Sequence, residues 1–292
     1  MRGSEWIQTG FVAGLAVASF VCPLSGRRRK TILLLAAVSI VLVGVAAGLA
    51  LIFPQSTVSI VRDWLPVPLM LIPYWQAGQF FRGPSEKKQA WLMASDRPLF
   101  QLAARMGLKA ALPLRLSLEW AYSLCYGMAA AGLGVLYASG MRLHANQFWV
   151  LVLTPTYLCY VITPFVPALP PRTINNTSNH GNPSNAGRTK SRVFNLWILE
   201  YLSIQAISFP SAHVASALAV SLVLLHFVPA AGWVFIVVTF WIAVAAVVGR
   251  YHYAVDVVMG ALLAAIVYAA LAPHLMPRTL LHAAASIFFA RP

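Results

Sequence analysis

The chain has 292 residues, 60% of them hydrophobic and 10% charged, with a mean hydropathy of +0.74. A soluble domain carries about 25% charged residues, so the composition excludes a soluble globular protein and a disordered one. The net charge of +14, from 21 Lys and Arg against 7 Asp and Glu, belongs in so apolar a chain to membrane borders and anionic lipid headgroups, and no nucleic-acid partner is expected.

The charges cluster between long uncharged runs. Residues 31–61 and Trp120–Met141 carry none, and 201–249 hold two histidines and otherwise only tyrosines as ionisable groups. A membrane-crossing helix needs about 20 apolar residues. Eight candidate spans follow in chain order: 10–25, 31–54, 64–81, 118–140, 147–168, 210–228, 231–249 and 253–272. The expected fold is an all-α integral membrane bundle with six core transmembrane helices and an N-terminal helical hairpin. Residues 1–60 form the hairpin, 61–272 the core and 273–292 a tail. The first span reads as one arm of the hairpin, turning at Gly26-Arg27-Arg28-Arg29-Lys30, rather than as a cleaved signal.

The third span holds Pro66, Pro68 and Pro73, which predicts a kinked or re-entrant path. Beyond it, Pro98 suits a first helical turn. Leu99, Leu102, Ala103 and Met106 oppose Gln101, Arg105 and Lys109, the pattern of an interfacial or bundle-packed amphipathic helix. Arg172–Arg192 is one polar loop, rich in Asn, Ser, Thr and Gly, with overlapping glycosylation patterns at Asn175–Ser178. Val193–Ser208 is apolar around Glu200 and suits the membrane interface. Cys22, Cys125 and Cys159 are odd in number and lie in apolar stretches, which makes them packing residues.

Ionisable residues at apolar spans are costly to place and mark candidate sites. Asp256 stands four residues after His252 in Arg250-Tyr251-His252-Tyr253-Ala254-Val255-Asp256. That spacing puts both on one helix face. A carboxylate on one ring nitrogen fixes the tautomer and makes the other nitrogen a better nucleophile or base. Phe209-Pro210-Ser211-Ala212-His213 opens the sixth span, where free backbone N–H groups favour an anion. Pro170-Pro171-Arg172 closes the fifth. Alternating spans bring Arg172, Ser211, His213, Arg250, His252 and Asp256 to one membrane face. Two imidazoles, a carboxylate and two guanidinium groups there suit phosphate chemistry: Arg binds the oxygens, one His attacks phosphorus and the other protonates the leaving oxygen. Read instead as a metal site, His213, His252 and Asp256 lack a further ligand, and no cofactor motif occurs. The other five histidines read as interfacial anchors.

The Pro-Ser-Ala-His and His-Tyr-Ala-Val-Asp elements resemble the second and third motifs of the type 2 phosphatidic acid phosphatase superfamily. Pro-Pro-Arg, then Phe-Pro-Ser-x-His, then Arg-Tyr-His-Tyr-x-x-Asp is most similar to its inositol phosphorylceramide synthase-like branch. The resemblance spans roughly residues 60–272, with its specific residues near 160–260. It implies His252 as the nucleophile forming a phosphohistidine, Asp256 as its orienting partner and His213 as the general acid. Ser211, Arg172 and Arg250 hold the phosphate, and no metal or cofactor is needed. Three departures stand out: Ala246 occupies the place of the third-motif Arg, Ala212 replaces Gly, and residues 161–171 lack the first-motif Lys. Arg250 can serve only if the chain bends near Gly249.

The resemblance leaves three activities: hydrolysis of a lipid phosphate or diphosphate, transfer of a phospholipid headgroup to an alcohol, and a non-catalytic scaffold or transporter. Expected partners are a lipid phosphate and membrane lipids. Two arguments on sidedness in the cell membrane oppose each other. Sixteen of the 21 basic residues fall on the site's face, which the positive-inside rule makes cytoplasmic. The resemblance implies an extracytoplasmic site.

Overall fold

The computed structural model describes residues 1–105, 112–178, 190–204, 206 and 209–275, and among them the only regular elements are helices. The first two, α1 (Gly3–Val21) and α2 (Gly26–Leu49), pack on each other as a hairpin. Then come α3 (Gln55–Trp64), α4 (Pro66–Leu69) and α5 (Leu71–Gly78). The third predicted span, 64–81, is thus two short helices, α4 and α5, that follow directly on α3, because Pro66 and Pro68 cannot donate to the helical ladder. Next are α6 (Glu86–Arg105), α7 (Leu112–Leu124) and α8 (Met128–Ala138). Within the α7–α8 pair, Leu116–Leu124 and Met128–Ala138 bend by 68° across the break. The chain continues through α9 (Ala145–Ile162), α10 (Pro171–Ser178), α11 (Lys190–Tyr201), α12 (Ala212–Phe227), α13 (Pro229–Val248) and α14 (Ala254–Leu275).

The protein is an all-α, multi-pass membrane protein. Among the described residues, four helical stretches are long and apolar enough to cross a bilayer: Gly26–Leu49, Arg142–Phe165, Pro229–Val248 and Ala254–Leu275, with the bent pair as a fifth. The eight expected spans exceed that number for local reasons. The first helix buries Ser4, Glu5 and Gln8, the third span is broken, and α12 has only 16 residues. At 1.5 Å per residue α12 reaches about 24 Å, short of a ~30 Å hydrocarbon core. It need not meet lipid, because it sits among α8, α9, α13 and α14 with Ala215, Ala217, Val220, Val223 and Leu224 fully buried. A helix apolar on every side belongs inside a bundle. Around it pack Phe148, Trp149 and Leu153 of α9 and Ala264 of α14. Trp233, Val237 and Phe240 of α13 and Leu34, Val41 and Val45 of α2 point outward, the apolar surface a membrane covers.

Polar contacts define two faces. On one, the Arg62 guanidinium grips Glu5 with two bonds of 2.6 and 2.7 Å, Tyr137 donates to Asp63 at 2.5 Å, and Ser4 meets Asn146. On the other, Arg28 donates to the Phe81 carbonyl at 2.7 Å, the Ser85 N–H to Pro167 O at 2.8 Å, and Lys88 to Phe165 O. The two ends of α1, and likewise of α9, are thereby placed on opposite faces. The amphipathic stretch differs from expectation. Its helix starts at Glu86, so Pro98 lies inside α6 rather than opening it, and Met106 and Lys109 fall outside the described residues. Most of the polar loop, 179–189, and the tail from 276 lie outside them too.

Candidate active site

The second polar face gathers the predicted residues. Helix α13 ends at Val248 with Gly249 as its C-cap, and Arg250 follows at φ 58°, so the chain bends where Arg250 required it. The N–H groups of Tyr251 and His252 both return to the Ala246 carbonyl at 2.9 Å. Ala246 is fully buried, and a long side chain has no room at the place of the family's Arg. The turn directs His252 toward α14, where its Nδ1 meets Asp256 Oδ2 at 3.2 Å. Asp256 is fully buried.

The start of α12 leans on α14 through the Ser211 N–H, which donates to the Asp256 carbonyl at 2.9 Å. This brings the His213 ring to 5.7 Å, centroid to centroid, from that of His252, at 65°. Ser211 is the N-cap of α12, yet its hydroxyl makes no capping bond. Among the described residues, Ser211 Oγ, His213 Nδ1 and the second carboxylate oxygen of Asp256 are buried without a hydrogen-bond partner. Buried polar atoms left unpaired carry a real cost, and of these three residues His213 lines the cavity described next.

Arg172 closes this pocket. Its backbone N–H donates to Arg250 O at 3.1 Å and its guanidinium to Tyr251 O at 3.5 Å. A cavity of about 20 Å³ lies between Arg172, His213, His252, Tyr122 and Tyr251, room for one water. Arg250 is not among its lining residues: it supports Arg172 through its carbonyl, and its charge bears on Asp96. His252 lies between two spanning helices, and its pKa is pushed down to about 3, first by burial and then by the Arg172 charge. It is therefore neutral at ordinary pH.

Several supporting residues escaped the sequence reading. Glu119 accepts from the Tyr251 hydroxyl at 2.6 Å, from Arg192 at 2.5 Å and from Asn195 at 3.0 Å. Tyr122 stacks on the Tyr251 ring at 3.9 Å. From α6, Gln89 accepts from the Leu169 N–H at 2.7 Å, and Asp96 accepts from the Ala254 N–H at 2.8 Å. Glu119 carried a readable signal, an acid beside a long apolar run. Gln89 and Asp96 carried none.

A profile of the PAP2 superfamily matches residues 90–270. The chain belongs to the PAP2 superfamily. No curated protein and no solved structure matches it. Superfamily membership makes phosphatase-like chemistry on lipid phosphates the general expectation for this site. The matched segment contains Arg172, Ser211, His213, His252 and Asp256 together with the supporting Asp96 and Glu119, whereas α1 to α5 precede it.

Proposed function

We propose that this PAP2 superfamily protein is a membrane-embedded lipid phosphatase that hydrolyses a lipid phosphate or diphosphate through a phosphohistidine. The observation that carries the reading is His252 held by buried Asp256 at 3.2 Å with a second imidazole 5.7 Å away. Asp256 occupies Nδ1 and leaves Nε2 as the attacking nitrogen. Nε2 forms a bond to phosphorus while the bond from phosphorus to the leaving oxygen breaks, and His213, which takes up a proton from solvent as the anionic phosphate binds beside it, gives that oxygen the proton. His213 then takes a proton from water, whose oxygen attacks phosphorus, breaks the P–N bond and releases phosphate. Arg172 and the Ser211 hydroxyl hold the phosphoryl oxygens. Arg250, expected as a third holder, serves by fixing Arg172.

Transfer of the phosphorylated headgroup to an alcohol uses the same intermediate. The synthase-like pattern Arg-Tyr-His-Tyr-x-x-Asp favours this second reading. Purified protein is to be incubated with radiolabelled phosphatidic acid, a polyprenyl diphosphate and a phospholipid plus alcohol. Free phosphate supports hydrolysis, and new phospholipid supports transfer. Wild type should carry acid-labile label on histidine. His252→Ala should lose the label and at least about 10³-fold in turnover. Turnover retained in His252→Ala would defeat the mechanism, and a wild type inert on every substrate would point to a scaffold or transporter.

A further inference from the structure

The histidine pocket, of about 20 Å³, is too small for a phosphate as it stands, and a larger cavity adjoins it across a shared wall. Ser203 and Ile204 line the pocket on one side and a second, larger cavity on the other. That cavity is a groove of about 580 Å³, within the range of ligand sites. Arg28, Thr31 and Leu35 of α2 form one bank, and Trp75 and Phe81 form the other. The wall is pinned to α5. The Ile204 N–H donates to the Tyr74 hydroxyl at 2.9 Å, and the Trp75 indole donates to Leu202 O at 2.9 Å. A Cβ on Gly78 would come within 2.2 Å of Ile204 Cγ2, so only glycine lets the wall lie this close.

The groove carries a cation at Arg28 and apolar side chains at Leu35, Trp75 and Leu202. Residues 28, 31 and 35 share one face of α2, and from Arg28 to Leu35 the helix descends about 10 Å into a crossing span. Arg28 donates to the carbonyls of Phe81 and Gln79 and makes no ion pair among the described residues, so its charge is uncompensated. A cation at the membrane border above a groove of mixed lining, with Leu35, Trp75 and Leu202 as its apolar side chains, fits an anionic headgroup above an acyl chain. Seven of the eleven lining residues precede residue 90, where the superfamily match begins.

We propose that this groove is the entry site for the substrate lipid, taking an anionic lipid phosphate with its phosphate at Arg28 and its chain along Leu35 and Trp75, before it passes Ile204 to the histidine pocket. The proposal rests on the lipid phosphatase reading for what happens next, but not for binding. The test uses full-length protein in phosphatidylcholine nanodiscs and dioctanoyl phosphatidic acid as the probe, with gel filtration to check folding. Arg28→Gln, and Leu35→Trp, which fills the groove, should each weaken binding about tenfold and raise KM more than they lower kcat. Arg28→Lys should keep most of the binding, and His252→Ala should bind like wild type while losing turnover. Inorganic phosphate at equal concentration should not displace the lipid. Wild-type binding in both groove variants would overturn the entry site and leave the phosphatase reading intact. Displacement by inorganic phosphate would overturn a lipid as the occupant. Weakened binding in the groove variants, with no turnover of any lipid phosphate by wild type, would keep the site and defeat the phosphatase reading.

Discussion

His252 shows how a buried environment sets up a reactive group. Burial first, and then the Arg172 charge, disfavour its protonated form and lower its pKa to about 3, whereas an unfolded histidine titrates near 6.5. The attacking nitrogen is therefore already unprotonated in the free protein. The same shift links stability to pH. Between about 6.5 and 3 the unfolded chain binds a proton at this residue that the folded chain does not, so its stabilising effect is complete above about pH 6.5 and is lost as pH falls toward 3. Thermal unfolding in detergent should show a midpoint falling more steeply across this window in wild type than in His252→Gln. Equal slopes would mean that His252 is not the neutral, buried group described.

The pairing of His252 with Asp256 was legible in the chain because i and i+4 on a helix is a local rule. The bend near Gly249 was expected too, but as the condition for Arg250 to reach a phosphate, and Arg250 does not line the pocket. The place of Arg250 was not legible: local spacing cannot say that its carbonyl holds Arg172, 78 positions earlier, while its charge turns to Asp96. The shelf of Glu119, Tyr251 and Asn195 was hidden for the same reason, since its bonds join residues 132 and 76 positions apart.

Among elements, α12 and α14 matter most, because α12 carries His213, α14 carries the Asp256 that holds His252, and their spacing sets the gap between the two rings. Gly260 of α14 faces the start of α12, where an added Cβ would come 2.4 Å from the Ser211 carbonyl oxygen. No flexible side chain can yield there, since the obstacle is backbone. Gly260→Ala should push the start of α12 outward, costing about 1–3 kcal/mol of stability as overpacking does. It should also cost about 10² in turnover, by moving Ser211 and His213 away from His252. Paired measurements of unfolding and of kcat on a lipid phosphate would check this, and a variant with wild-type kcat would show that the contact does not set the gap. At this scale the sequence was most informative where apolar runs were long and unbroken. The expected 231–249 and 253–272 lie close to Pro229–Val248 and Ala254–Leu275. It was least informative at α6, because a proline that reads as a helix start can also sit within a helix whose face turns toward solvent.

Across the whole molecule, charge is distributed by face. Arg27 to Lys30, Arg82, Lys87, Lys88, Arg97, Arg172, Lys190, Arg192 and Arg250 belong to the loops and helix ends of the site's face, while Arg2, Arg62 and Arg142 sit at the other. The opposite face also pairs its cations with acids, Arg62 on Glu5 and Arg2 on Asp63, so the excess positive charge is gathered beside the histidines. That asymmetry is the determinant the positive-inside rule reads, and it predicts a cytoplasmic site. The prediction can be checked with single cysteines introduced after replacing Cys22, Cys125 and Cys159 by Ala. Leu143, 87% exposed on the opposite face, should react as Leu143→Cys with a membrane-impermeant maleimide on intact cells. Arg27→Cys, in the first turn of α2, should react only after permeabilisation. The reverse pattern would place the histidine pocket outside the cytoplasm. Its substrate would then be drawn from the outer leaflet, and the basic border would serve the lipid phosphate itself rather than the orientation of the chain.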